Sequence, residues 1–163
     1  MGVDLDIKGN AGWTISSWVK YNSVATSTPA NFIGSESINE SSWYWSVFGS
    51  KLALWDKGNS AWYYGDTTIS ADIWYHATLV SDSNNTHYYC YLNGEDDMSS
   101  SWSSHNGSWS DDNGLRIRYL GQGSASTPRR INGSMACTHI WNRALTAAEV
   151  KNNFNAQRAR FGL

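Results

Sequence analysis

Short apolar segments, each closed off by glycine, asparagine, aspartate or serine, recur along this chain: WTISSWVK (13–20), NFIGSE (31–36), WYWSVF (43–48), KLALWD (51–56), AWYYG (61–65), IWYHATLVSD (73–82), THYYCYLNG (86–94) and LRIRYLG (115–121). This spacing of short, turn-bounded runs predicts an all-β sandwich or barrel. Because side chains alternate across a strand, Trp13, Ile15 and Val19 share one face and Thr14, Ser16, Trp18 and Lys20 the other. By the same rule Tyr88, Cys90 and Leu92 oppose Tyr89 and Tyr91, which predicts a buried, inert Cys90. Cys137 is the only other cysteine, and the fold is not expected to depend on a disulfide. The stretch MSSSWSSHNGSWSDDNG (98–114) has no apolar period and reads as a long loop carrying Trp102 and Trp109.

The end of the chain departs from this pattern. MACTHIW continues as a strand, and Thr146-Ala147-Ala148-Glu149 then forms a capping-box sequence, Thr146 as N-cap and Glu149 returning a hydrogen bond from the third helical position. Leu145 and Val150 are placed as a hydrophobic staple, and Val150 and Phe154, four residues apart, give one short C-terminal helix a single apolar stripe. Such a helix serves as a lid on a sandwich edge. The 163 residues fit one domain, 1–163, and a chain of this size buries roughly 70% of the surface it exposes when unfolded.

Charge excludes some partners. With 16% charged residues, a formal net charge of −2 and a pI near 6.0, nothing draws in a polyanion, so nucleic acid is not an expected partner. No apolar run approaches the roughly 20 residues needed to span a bilayer, and MGVDLDIKGN lacks the basic and apolar parts of a secretion signal. Neither a membrane partner nor a signal peptide is expected in this chain. The aromatic content of 14%, with 10 Trp and 9 Tyr, exceeds what one sandwich core needs, so some rings should face outward.

Several of these segments carry a family resemblance. WTISSWVK, WYHATLVSD (74–82), YLNG (91–94) and the closing ING…IWNRALTAAEV resemble the laminin-G-like, concanavalin A-like lectin/glucanase superfamily in order and spacing along nearly the whole chain. The tail NNFNAQRARFGL (152–163) further resembles the ends of such domains in tailed-phage virion proteins. The resemblance implies a concanavalin A-like jelly-roll sandwich of two antiparallel sheets, a fold often used to bind glycans. Two departures stand out: only GVDLDI precedes WTISSWVK where relatives have a further strand, and Ala136 and Cys137 replace an acidic pair of the last strand.

A glucanase needs two carboxylates flanking the glycosidic bond, in an E-x-D-x-E type of strand. The nearest candidate is Glu95-Asp96-Asp97, which reads better as a solvated turn after YLNG. No enzyme activity is therefore expected. No cofactor is called for; Ca²⁺ is the one ion that Asp96, Asp97, Asp111 and Asp112 could hold, although neither acidic run has EF-hand spacing. The histidines show no metal-ligand spacing, though His76 and His87 could meet across adjacent strands.

Aromatics give the strongest signal. A sugar ring offers an apolar C–H face and a rim of hydroxyls, so its site pairs an aromatic platform with polar groups at the edge. Trp13 and Trp74 are expected to fill the sandwich, whereas Trp55, Trp62, Tyr64, Trp102 and Trp109 are the candidate carbohydrate-binding residues. The expected function is a non-catalytic lectin-like adhesion module of a phage virion, on a tail fibre or capsid surface, recognising host glycan outside the cell. The alternative is a structural virion module that turns the same rings toward other virion proteins or toward copies of itself in a homo-oligomer.

Overall fold

A computed structural model describes residues 2–8, 12–24, 27–35, 43–56, 60–82, 87–100, 102, 114–123 and 129–163. The strands run in the order β1 (Gly2–Lys8), β2 (Trp13–Tyr21), β3 (Ala30–Ser35), β4 (Trp43–Phe48), β5 (Lys51–Asp56), β6 (Ala61–Tyr64), β7 (Trp74–Ser81), β8 (Tyr88–Leu92), β9 (Glu95–Asp96), β10 (Gly114–Leu120) and β11 (Gly133–Trp141). Helix α1 (Ala147–Gln157) and a 3-10 turn over Arg158–Phe161 follow. Every strand pairing is antiparallel. One sheet has six strands in the order β1-β10-β3-β4-β5-β6, and the other five, in the order β11-β2-β7-β8-β9. This is a sandwich, one of the two architectures the spacing predicts, and the jelly roll that the resemblance implies. GVDLDI is itself most of a strand, β1, which closes one side of the six-stranded sheet against β10.

The alternation holds. Trp13, Ile15, Val19 and Tyr21 of β2, Ala77 and Leu79 of β7, and Tyr88, Cys90 and Leu92 of β8 enter one core cluster with Trp43, Trp45 and Val47 of β4 and Leu52 and Leu54 of β5. Cys90 is buried and both cysteines are free thiols. β11 pairs with β2 through a bulge: Ala136 lies opposite Trp18 and His139 opposite Ser16, so Cys137 and Thr138 share the place of one residue. Cys137 takes a φ of 48° there, the left-handed conformation by which a strand absorbs an extra residue.

The outer face of the five-stranded sheet is covered by the chain's own end. Trp18 is fully buried on it, stacked on Phe161 (centroids 4.0 Å apart) and on Phe154 (5.8 Å), with its indole N–H donating to Gln157 Oε1 at 2.9 Å. Val80, Tyr91, Leu145 and Val150 form a second apolar cluster beside it. The capping box is present: the Glu149 N–H donates to Thr146 Oγ1 at 3.3 Å and the Thr146 N–H to Glu149 Oε2 at 2.9 Å. Arg143 clamps the same carboxylate with two bonds, of 2.7 and 3.0 Å. That clamp holds the Glu149 carboxyl down at about 2, the Arg143 guanidinium being the main cause and the Thr146 N–H the next.

Two expectations are corrected. Trp74 lies outside the sandwich interior, half-buried on the outer face with Phe161 against it at 5.0 Å and the Lys20 ammonium at 5.5 Å. Its neighbour Tyr75 is the one that points inward, because the register sets Tyr75 opposite the inward Val19 and Trp74 opposite Lys20. The turn after β8 is made by Asn93 and Gly94, with φ of 53° and 78°, so Glu95 and Asp96 are the returning strand rather than the turn. Gly94 is required twice over: its φ favours glycine, and a Cβ there would lie 2.9 Å from the Lys151 side chain and 3.1 Å from Phe154. His76 and His87 do not meet, since His87 lies against Asp82 at 3.3 Å and His76 is sealed under Trp18 and Phe154.

Candidate functional site

The outer face of the six-stranded sheet is built by the same alternation that fills the core. With Trp43, Trp45 and Val47 inward, β4 turns Tyr44, Ser46 and Phe48 outward; with Leu52 and Leu54 inward, β5 turns out Lys51, Ala53 and Trp55; and with Tyr63 inward, β6 turns out Trp62 and Tyr64. Register sets them in rows. Tyr44 lies opposite Trp55, which lies opposite Trp62; in the next row Ser46 faces Ala53 and Ala53 faces Tyr64; Phe48 faces Lys51.

Ring contacts tie these rows together. Trp55 and Trp62 have centroids 5.2 Å apart, Phe48 and Trp62 5.0 Å, Phe48 and Tyr64 6.0 Å, and Trp62 and Tyr64 6.4 Å. Interplanar angles of 46° and 53° at Trp62 make the surface pleated rather than flat. Ser46 and Ala53 are fully buried between the rings, the Ser46 hydroxyl donating to the Ala53 carbonyl at 3.1 Å. The rings themselves, Tyr44, Phe48, Trp55, Trp62 and Tyr64, are half-buried. Partial burial pushes the Tyr64 hydroxyl up from its ordinary pKa, so it stays a neutral donor and acceptor.

A wall stands at the Tyr44 end. The segment Gly121–Gly123 presses on β3 so closely that a Cβ on Gly123 would lie 2.0 Å from Asn31 Nδ2 and 3.1 Å from the Tyr44 ring. Gln122 sits in this segment, and its Oε1 accepts from Arg130 Nε at 3.1 Å. The segment Gly121–Gly123 thus borders the Tyr44 end of an apolar, ring-lined floor, and Lys51 lies opposite Phe48.

The sequence-chosen residues divide. Trp55, Trp62 and Tyr64 come together on this face. Trp102 does not join them: it is 6% exposed, packs on Tyr63 at 5.7 Å within the core, and donates its indole N–H to the Tyr64 carbonyl at 2.8 Å. The polar residues around it mark a loop, but its ring plugs the sandwich behind β6 and so supports the platform from beneath. Trp109, Asp111 and Asp112 lie outside the described residues. Asp96 and Asp97 do not converge on an ion: Asp96 Oδ1 accepts from the Met98 N–H at 2.9 Å, whereas Asp97, 2% exposed, accepts from the Thr67 N–H at 2.8 Å. Glu95, the other acid of that run, pairs with Lys151. Among the described residues no group of three or more His, Cys, Asp or Glu is placed to hold a metal. Tyr44, Phe48, Lys51, Gln122 and Arg130 were missed; alternation in WYWSVF, read with Trp43 and Trp45 inward, carries the signal for the first two.

A groove of about 440 Å³ lies elsewhere, lined by Leu120, Gly121, Ile131 and Met135 to Thr138 at the β11 side, and none of the platform rings borders it.

With sandwich and platform defined, comparison with known proteins places the chain. The family model of the concanavalin A-like lectin/glucanases superfamily matches residues 3–151. The chain belongs to this superfamily. Among solved structures it is similar to domain 4 of AbnA, an extracellular GH43 arabinanase from Geobacillus stearothermophilus solved in complex with arabinotriose (TM-score 0.63, 23% identity, covering 93% of this chain and 71% of that one). It is also similar to a putative carbohydrate binding protein from Bacteroides ovatus (TM-score 0.62, 17% identity, 92% and 45%) and to the binding domain of Paraclostridial Mosquitocidal Protein 1 (0.63, 21%, 93% and 38%). The chain spans less than half the length of these last two. Curated protein sequences give no match. The same fold also occurs in part of a Trypanosoma rangeli sialidase and in a SAP-like pentraxin from Limulus polyphemus.

Proposed function

We propose that this superfamily member is a non-catalytic glycan-binding module whose site is the outer face of β4, β5 and β6. The observation that carries the reading is the continuous surface of half-buried rings, Trp55, Trp62, Tyr64 and Phe48, with Tyr44 in the same row and polar groups at its edges. Sugar C–H faces pack on such rings, and hydroxyls take hydrogen bonds from Tyr64, Lys51, Gln122 and Arg130. The Geobacillus domain solved with arabinotriose lends support as a structural relative. The resemblance of residues 152–163 to the ends of tailed-phage virion domains supports display on a virion surface, as part of a tail fibre or capsid. Hydrolysis is not part of this proposal: of the acids in the one candidate run, Glu95 engages Lys151 and Asp97 engages the Thr67 N–H.

The test is a glycan-array screen of the whole chain, followed by titration of the best ligand with Trp62→Ala and Trp55→Ala. Loss of binding in both supports the site; full binding in both moves the site off this face.

A further inference from the structure

Between the five-stranded sheet and helix α1 lies a layer that is sealed but not wholly apolar. His76, 1% exposed, stands beside Trp18 (ring centroids 5.1 Å apart) and beneath Phe154 (6.1 Å), and neither of its ring nitrogens meets a partner among the described residues. Ser16 and Thr78, directly paired across β2 and β7 on the same face, are each 1% exposed with hydroxyls that also find no partner among the described residues. Such groups are costly to bury, and an imidazolium costs far more than a neutral ring.

Most of the charges around His76 are positive. From β11 comes His139, placed opposite Ser16, and from β2 comes Lys20 on the same outer face. From the helical end come Lys151, Arg158 and Arg160. On β8 and β9, Tyr91 lies opposite Asp96, both on this side, and Glu95 is taken by Lys151. Burial first, and the His139 charge second, lower the His76 pKa to about 4.

We propose that His76 makes the seam between sheet and helix a proton-operated latch: charging the imidazole releases α1 and the 3-10 turn while the sandwich stays folded. The seam is a separable layer because α1 and the tail pack on one face of a finished sheet, whereas the main core lies between the sheets. Opening uncovers Trp18, Val80 and Tyr91, so acid turns a closed face into an exposed apolar one.

The direction follows from linkage. The closed seam binds the proton less well than the open one, whose imidazole titrates near the ordinary 6.5. Closure is therefore at full strength above about 6.5 and weakens as pH falls toward 4, about tenfold in the opening equilibrium per pH unit. The Glu149 carboxyl, held at about 2, keeps its cap charged through most of that window.

The experiment is amide hydrogen exchange on the whole chain from pH 7 to 4, expressed as protection so that the intrinsic rate is removed. Protection in α1 should fall by two orders of magnitude or so across that range while β4 and β5 keep theirs. In His76→Phe, and independently in His76→Gln should the bulkier ring disturb packing, the α1 profile should be flat; His139→Gln should keep the slope. Loss of protection in helix and sandwich together overturns the latch. A wild-type slope that survives both His76 variants, or disappears in His139→Gln alone, overturns it as well.

Discussion

Both outer faces of the sandwich are rich in aromatic rings, but among the described residues only one has its cover supplied by the chain. On the five-stranded sheet Trp18 is completely buried beneath Phe154 and Phe161. On the six-stranded sheet Trp55, Trp62 and Tyr64 stay half-buried, packed with tilted rings against each other and Phe48. The first group is accounted for by folding, since a helix with an apolar stripe needs a matching face. Folding makes no comparable use of the second group. Aromatic abundance therefore has two meanings in one chain, and only the covering element separates them.

The largest expected effect lies on the covered face. Phe154→Ala removes a buried ring between Trp18 and His76 and should cost about 3–5 kcal/mol of stability by denaturant melting, with little change in glycan affinity. Trp62→Ala should do the reverse, weakening glycan binding by about 1.5–4 kcal/mol, on the scale of aromatic hot spots, with a much smaller loss of stability. If Trp62→Ala lowers the melting temperature as far as Phe154→Ala does, the two faces are alike and the platform reading fails. Trp102→Phe sharpens the contrast from beneath: it leaves the Tyr64 carbonyl without its indole donor and should cost about 1–3 kcal/mol of stability. Thr146→Ala should cost about 1 kcal/mol, by loss of the cap that seats the covering helix. The smallest effect is that of salt. Binding that runs through rings should change little between low and moderate ionic strength, and a steep salt dependence would assign the energy to Lys51 and Arg130 instead.

The strand frame was legible because period-two alternation and turn residues are local signals, and for that reason WYWSVF and KLALWD begin and end where they read. The capping box was legible for the same reason: its partners are three residues apart. Trp102 was not, because its burial rests on contacts with Tyr63 and the Tyr64 carbonyl, far away in sequence, and no local pattern encodes them. Trp74 misled for a related reason, since an outward ring is hidden only if a distant segment, here Phe161, comes to meet it. Tyr44 and Phe48 were available from parity alone, once Trp43 and Trp45 were assigned to the core. The wall at Gly121–Gly123 was not, because it depends on the close approach of Gly123 to Asn31 and Tyr44, residues distant in sequence.

The pairing of β2 with β11 has a consequence for how the protein is made. Trp13–Tyr21 finds one neighbour in Trp74–Ser81 but the other only in Gly133–Trp141, and Gly2–Lys8 waits for Gly114–Leu120. During synthesis the early strands therefore leave the ribosome long before their flanking partners exist, and sheet closure is dominated by distant rather than local pairings, the slow regime of folding. Until the last strand and helix emerge, Trp18 has neither its lid nor a complete sheet around it. A nascent or truncated chain would present that ring to solvent beside unpaired strand edges, the kind of species that chaperones hold and that aggregates when they do not.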